Sequence, residues 1–517
     1  MAPDGGDGVN GAGLEVRKAM NRTRSRFLLL FFLLLLLSGC AFLFPQRVPS
    51  SFVRPERCQA FFDRLDEKVQ EEGARDAATV PVPGFPYLRG NRFLSALRET
   101  LIDAPSRDQW VQWMRQLDLN AREKEIQNLP DHAVISLIPK QPGHPDRKAL
   151  FEQIESCSSE LLHSDRSLPD FFEVLQPRVD VPDEYSFVLR TIGLYPFMVV
   201  PVSIATYSAR QKARSWFTMN MEDLPIVGKL VTYVPAEKVS LDDAEVRRIL
   251  MESKKNPLGV PLPDRDQEKH LVGFFAPILV QHTAGPYDRL GQIHWQDGRV
   301  GIDPENPTLY YYLSHAILKG KPILQINYVI WYSERAGKSS PWIEHGHLDG
   351  LTLRVSLDDE GKPFMVDVVN DCGCYHFFAP RREQIQEVLT RPFMFDPFVP
   401  QWLPPIPPGK RFAIRVNSGW HQIERLFALE EPADAATYTL ASYDRLETLP
   451  HEGGRTESIF DADGIVKGTG RVERFILFSM GIPSIGSMRQ RGHHAIELIG
   501  RAHFDDPRLF DRSFVFK

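Results

Sequence analysis

The densest run of ligand-type and nucleophilic side chains extends from Glu344 to His376. It opens as Glu344-His-Gly-His-Leu-Asp-Gly350 and closes as Asp371-Cys-Gly-Cys-Tyr-His376. His345, His347 and Asp349 recur at every second position, as do Cys372, Cys374 and His376, so on extended strands each trio points to one side. Imidazole, thiolate and carboxylate are the donors that zinc, copper and iron take from proteins, and such a centre supports hydrolysis or oxidation.

Whether the trios converge depends on the hairpin between them. Leu351, Leu353, Val355 and Leu357 form the apolar row of the outgoing strand, and Phe364, Val366 and Val368 that of the returning strand. If both rows face one core, odd positions on one strand sit with even positions on the other, and extrapolation brings both trios to one face. Gly346, Gly350 and Gly373 interrupt the strands, and a bulge reverses that parity. The alternatives are a short-range disulfide between Cys372 and Cys374, and histidines that only hydrogen-bond in loops. A variant joins His347 and Asp349 to His421 as a 2-His-1-carboxylate iron site.

Nearer the C-terminus, His493, His494, Glu497 and Arg501 fall at helical spacings, either as an acid–base pair or as a solvated helix face. The chain has no Gly-x-Ser-x-Gly and no His-Glu-x-x-His, and Ala336-Gly-Lys-Ser339 lacks the earlier glycine of a phosphate loop. Familiar esterases, zincin proteases and nucleotide hydrolases are therefore disfavoured.

Several elements must position these residues. Helices are expected over 58–72, 91–101, 107–119 and 148–163; in the first, Phe61, Phe62, Leu65 and Val69 lie at helical spacing. The uncharged run Leu194 to Tyr207 reads as a buried core segment, with a lipid-skimming surface or an apolar channel as alternatives. It is too short and too broken by proline to span a membrane. Beyond residue 216 a helix is expected with Ser240 as its N-cap, and alternating β segments then dominate. Leu309–Ile317 and Pro322–Tyr332 form one hairpin about Lys319-Gly320-Lys321, and Leu351–Leu357 and Pro363–Val369 a second about Asp359-Glu360-Gly361. Arg411–Val416 and Arg471–Met480 are further strands, and an extended loop, Arg391–Lys410, that holds seven prolines lies between the second hairpin and the first of them. The fold class is thus α+β, a helical part over 58–215 followed by a larger, mostly antiparallel β-rich part over 216–517.

At 517 residues with 43% hydrophobic and 25% charged side chains, the composition is that of an ordinary globular protein. No dense basic stripe accompanies the net charge of −6, which argues against a nucleic-acid partner.

The N-terminal region is of another kind. Asn21 to Arg26 carries three arginines, Phe27 to Leu37 is uninterruptedly apolar, and Leu37-Ser-Gly-Cys40 follows. Residues 22–40 resemble the signal peptide and lipobox of bacterial lipoproteins. The resemblance implies cleavage of residues 1–39, acylation of Cys40 with palmitate-type chains, and a tether over 40–57. Met20 is the start that places the arginines correctly. Without processing, Phe27 to Phe44 would be an uncleaved membrane anchor. Ala41, where inner-membrane lipoproteins carry Asp, implies the outer membrane with the body in the periplasm; inner-membrane anchoring is the alternative. With Cys40 lipidated, Cys58, Cys157, Cys372 and Cys374 remain, and three connectivities are open. The close spacing of the last two favours a Cys58–Cys157 disulfide and leaves the others to each other or to another role. The expected activity is a metal-dependent hydrolase or oxidase in the cell envelope. The competing expectation is a non-catalytic lipoprotein that binds an envelope polymer, lipid or protein.

Overall fold

Phe61, Phe62, Leu65 and Val69 all turn inward with Cys58, and this apolar stripe is what docks α1 (Glu56–Glu71). The computed structural model describes residues 52, 54–138, 145–451 and 454–517, so the signal segment and Cys40 lie outside the described residues. After α1 come β1 (Val80–Val82) and β2 (Phe85–Gly90), an antiparallel pair. The Asn91 and Asp103 side chains cap α2 (Arg92–Leu97) and α3 (Ala104–Asn128), each accepting a backbone N–H in the first turn. Next are α4 (Asp131–Leu137), α5 (Arg147–Arg166) and α6 (Phe171–Leu175). Cys58 and Cys157 form a disulfide with Cα atoms 5.2 Å apart, stapling α1 to α5.

The run expected to be buried instead lies outside the core. It follows α7 (Phe187–Ile192) and forms the N-cap, Leu194, and the first half of α8 (Tyr195–Thr218). A helix presents only one side to the body; on α8, Val202 and Phe217 take that side, and Leu194, Phe197, Val200 and Ile204 are exposed.

The β-rich part begins with β3 (Lys229–Pro235), followed by α9 (Asp243–Ser253) and α10 (Arg265–Phe275). The N-cap of α9 is Asp242, not Ser240, because Asp242 and Glu245 close a reciprocal capping box. Then come β4 (Ile278–Thr283), β5 (Gln292–Gln296), β6 (Arg299–Asp303), β7 (Thr308–Leu318) and β8 (Lys321–Arg335). These are followed by β9 (Gly346–Leu357), β10 (Pro363–Asn370), β11 (Phe377–Pro380), β12 (Ile385–Val388), β13 (Arg411–Val416), β14 (Ile423–Leu429) and β15 (Ala436–Ser442). Ten of them form one sheet in the order β11-β10-β9-β8-β7-β15-β3-β4-β13-β14. Only the β7/β15, β15/β3 and β4/β13 pairs are parallel. The architecture is therefore α+β, with helices in the N-terminal part and a large, mostly antiparallel sheet after it.

Both expected hairpins are present. Lys319 and Gly320 connect β7 to β8 with φ of 50° and 77°, the doubly left-handed turn whose twist matches the strands. In the second hairpin Val355 faces Val366 and Leu353 faces Val368, all in one hydrophobic cluster. A register shift between Pro363 and Met365 sends Phe364 to the opposite face, where it joins Phe378 and Phe510.

Two other expectations fail locally. Arg471–Met480 is not a strand but the short α11 (Glu473–Ile476) and a 3-10 turn at Phe478–Met480. Its polar Arg471 and Glu473 turn inward while Val472, Phe475 and Ile476 face out, an arrangement that strand alternation does not give. The stretch from Arg491 to His503 is irregular, because Gly492 and Gly500 adopt φ of 90° and 83° and break any helix.

Candidate functional site

The end of β8 carries an arginine where the strand's alternation would place a core residue. Arg335 is fully buried, and its guanidinium grips Asp349 of β9 with two bonds of 2.9 Å, Nε to Oδ2 and Nη2 to Oδ1. Its Nη1 donates to Glu344 Oε2 at 2.7 Å, and the Trp420 indole donates to the same oxygen at 2.8 Å. The Tyr375 hydroxyl donates to the other Glu344 oxygen. Arg471 donates to Leu348 O at 2.8 Å and approaches Asp349 Oδ1 at 3.3 Å. His421 stacks on Tyr332 with ring centres 3.9 Å apart and donates from Nδ1 to Asp349 Oδ2 at 2.7 Å. Its Nε2 lies 3.3 Å from Asp288 Oδ1.

Cys372 is buried against this array, and Cys374 is partly exposed; both are free thiols. Burial works against a Cys372 thiolate, but the Cys374 S–H donated to it, with Arg335 and Arg471 nearby, brings its pKa down to about 7. Cys374 is driven the other way, first by that hydrogen bond and then by burial. Between them the two sulfurs share one proton. Glu473, buried beside Cys372 and Glu344, is pushed up to about 8 and is largely protonated at neutral pH. Burial would also raise Asp349, yet Arg335, His421 and Arg471 outweigh it and hold this carboxyl well below the usual range. Burial and the neighbouring Asp349 and Cys372 leave Asp371 strongly raised.

Two features distinguish this cluster from an ordinary ion-pair core. Glu473 Oε2 and the Nε and Nη1 of Arg471 are buried without a hydrogen-bond partner, so polar capacity is left over. Leu348, Tyr375 and His421, all non-glycine, adopt φ of 53°, 56° and 52° around it, a concentration of backbone strain typical of functional sites.

The six residues singled out by their alternation are distributed over several places. Asp349 and Cys372 belong to the buried cluster, with Cys374 at its edge. His345 donates to Ser340 O at 3.3 Å. His347 is exposed, lines a shallow recess with Arg299 and Gly301, and donates to Val300 O at 2.7 Å. His376 donates to Asp367 Oδ2 at 3.1 Å, beside the buried Arg354–Asp367 pair. The parity extrapolation fails at both ends of the hairpin. Left-handed Leu348 re-aims the outgoing strand, while Gly373 at φ 85° and Tyr375 turn the chain after β10 has ended at Asn370. A side chain on Gly373 would strike Ala495 O at 2.4 Å, so the turn is fixed by packing. Cys372 consequently packs with Leu348 and Trp331, on the face opposite Val366 and Val368. The iron-site variant finds Asp349 and His421 in contact and His347 elsewhere. Among the described residues, no group of three or more His, Cys, Asp or Glu is arranged to hold a metal ion.

Arg335, Glu344, Arg471, Glu473 and Trp420 were not assigned roles by spacing. The available signal was Arg335 itself, a charge at the end of the apolar Tyr328–Tyr332 strand. The chain matches no known family, no curated protein and no solved structure.

Proposed function

We propose that the protein is a membrane-anchored enzyme of the cell envelope whose working group is the Cys372/Cys374 dithiol, and that it carries out thiol–disulfide exchange. The observation that carries this reading is a pair of free thiols set against buried arginines, with one thiolate stabilised between them. Cys374, the less buried residue of the pair, is the one an incoming disulfide reaches. As it attacks, its proton passes to Cys372 along the existing hydrogen bond, the substrate S–S bond breaks, and the departing substrate thiolate takes a proton from Glu473. Cys372, favoured as a thiolate by Arg335 and Arg471, then attacks the mixed disulfide. The second substrate sulfur leaves and takes up the Cys372 proton. Two electrons pass from the pair to the substrate, leaving a Cys372–Cys374 disulfide.

Anchoring through Cys40 or an uncleaved Phe27–Phe44 segment, with the body in the periplasm, rests on the N-terminal residues. A transition metal (zinc, copper or iron) taken by the two free sulfurs of Cys372 and Cys374 is the second reading, favoured by the closeness of the two thiols. The test is reduction of a small aromatic disulfide by the full chain, with excess reduced glutathione supplied to re-reduce the Cys372–Cys374 disulfide and the uncatalysed rate subtracted. Loss of turnover in both Cys372→Ser and Cys374→Ser, with metal-free protein active, is expected. Activity that vanishes on chelation and returns with added metal would select the metal reading. No turnover in either state would leave the non-catalytic binding protein.

A further inference from the structure

From Phe187 to Thr218 the chain contains no Asp or Glu and four basic residues, Arg190, Arg210, Lys212 and Arg214, in a protein of net charge −6. Many of its apolar side chains face outward, Val202 and Phe217 being buried. Ile192 is 69% exposed on α7, Phe197 75% and Ile204 64% on α8, and Phe475 67% on α11. Along α8 the exposed Leu194, Phe197, Val200, Ile204 and Tyr207 recur at steps of three and four, a stripe about 20 Å long at the helical rise. The helices make one surface: Ser186 N donates to Gly481 O at 2.6 Å and Arg190 Nε to Met480 O at 2.9 Å, tying α7 to the turn after α11. A contiguous apolar patch of this kind marks an interaction site.

We propose that this face of α7, α8 and α11 docks onto an anionic lipid bilayer, as a monotopic contact additional to the N-terminal anchor. Two observations select lipid. The exposed charges on these helices, Lys212, Arg214 and Arg474, are all positive and border the apolar stripe, which suits an anionic leaflet. Further, only nine residues separate Phe44 of the apolar segment from Arg54, and thirteen separate Cys40 from it. At the reach of an extended chain the body stays within about 50 Å of whatever membrane holds that segment. No helix among the described residues is long and apolar enough to cross a membrane, and α8 carries Pro196 and Pro201, so the contact lies along the surface.

The test uses the full chain reconstituted in vesicles of phosphatidylethanolamine and phosphatidylglycerol, with a photoactivated carbene probe dissolved in the lipid. Mapping should find label in 187–207 and 472–478 as well as in the N-terminal segment. Phe197→Asp combined with Ile204→Asp should reduce label across 187–207 at least several-fold while leaving the N-terminal label and the thermal midpoint unchanged. Lys212→Glu with Arg214→Glu should reduce it in the same region, and vesicles of phosphatidylcholine alone should do likewise. Label confined to the N-terminal segment overturns the proposal. So does cross-linking of this face to a second copy, or coverage by the chain's own N-terminal segment that excludes the probe.

Discussion

At Cys372 burial is opposed by the hydrogen bond from Cys374 and then by Arg335 and Arg471, and these prevail, bringing the thiol down to about 7 although the residue is buried. The sign of the resulting pH dependence follows directly. A thiol with its pKa at about 7 gains its reactive form as pH rises through that value, so alkylation of the pair should climb with a midpoint near 7 and flatten above it. Arg471→Gln removes a stabilising charge and should move the midpoint upward; a midpoint unmoved, measured by stopped-flow alkylation, would exclude Arg471 as the cause. Asp349 has a different role. It is the shared acceptor of Arg335, Arg471 and His421, and Asp349→Asn would leave buried cations uncompensated. Breaking such a pair costs about 3–5 kcal/mol, to be read from denaturant unfolding. His347→Ala, at an exposed position, should change stability by less than about 0.5 kcal/mol.

Among the elements, α1 and α5 are cross-linked by the Cys58–Cys157 bridge across a sequence separation of 99. Removing it by Cys58→Ala with Cys157→Ala should destabilise the protein by about 2–5 kcal/mol in urea unfolding, and no loss would mean that helix packing suffices. Helices and hairpins with strong periodicity were legible: the α1 stripe, the Lys319-Gly320 turn, and the Leu351–Leu357 row against Val366 and Val368. What escaped was governed by long-range contacts. Left-handed Leu348 and Tyr375 have no signature in local sequence, because only surrounding packing forces a non-glycine residue there. Arg471 and Glu473 could not be paired with Asp349 and Cys372 by spacing, since they approach from a segment more than 90 residues away in sequence. The exposure of α8 was hidden for the opposite reason: an apolar run reads as core unless its surroundings are known.

On the scale of the whole molecule, α11 contributes Phe475 to the outer apolar surface and Glu473 to the dithiol, so a single short helix separates the two. Anchoring is tested independently by Cys40→Ala, which should abolish incorporation of labelled fatty acid and leave the thermal midpoint of the body unchanged; equal incorporation would remove Cys40 as the acylated residue. The reaction itself is tested most directly by equilibrating the full chain in buffers of graded glutathione redox potential, quenching with an alkylating reagent, and quantifying Cys372 and Cys374 by mass spectrometry. The expected result is a single reversible two-electron transition in which both thiols disappear together and reappear together, with Cys58 and Cys157 bridged throughout. Two thiols that stay alkylatable across the whole range, or oxidise separately and irreversibly, would contradict a dithiol exchange centre.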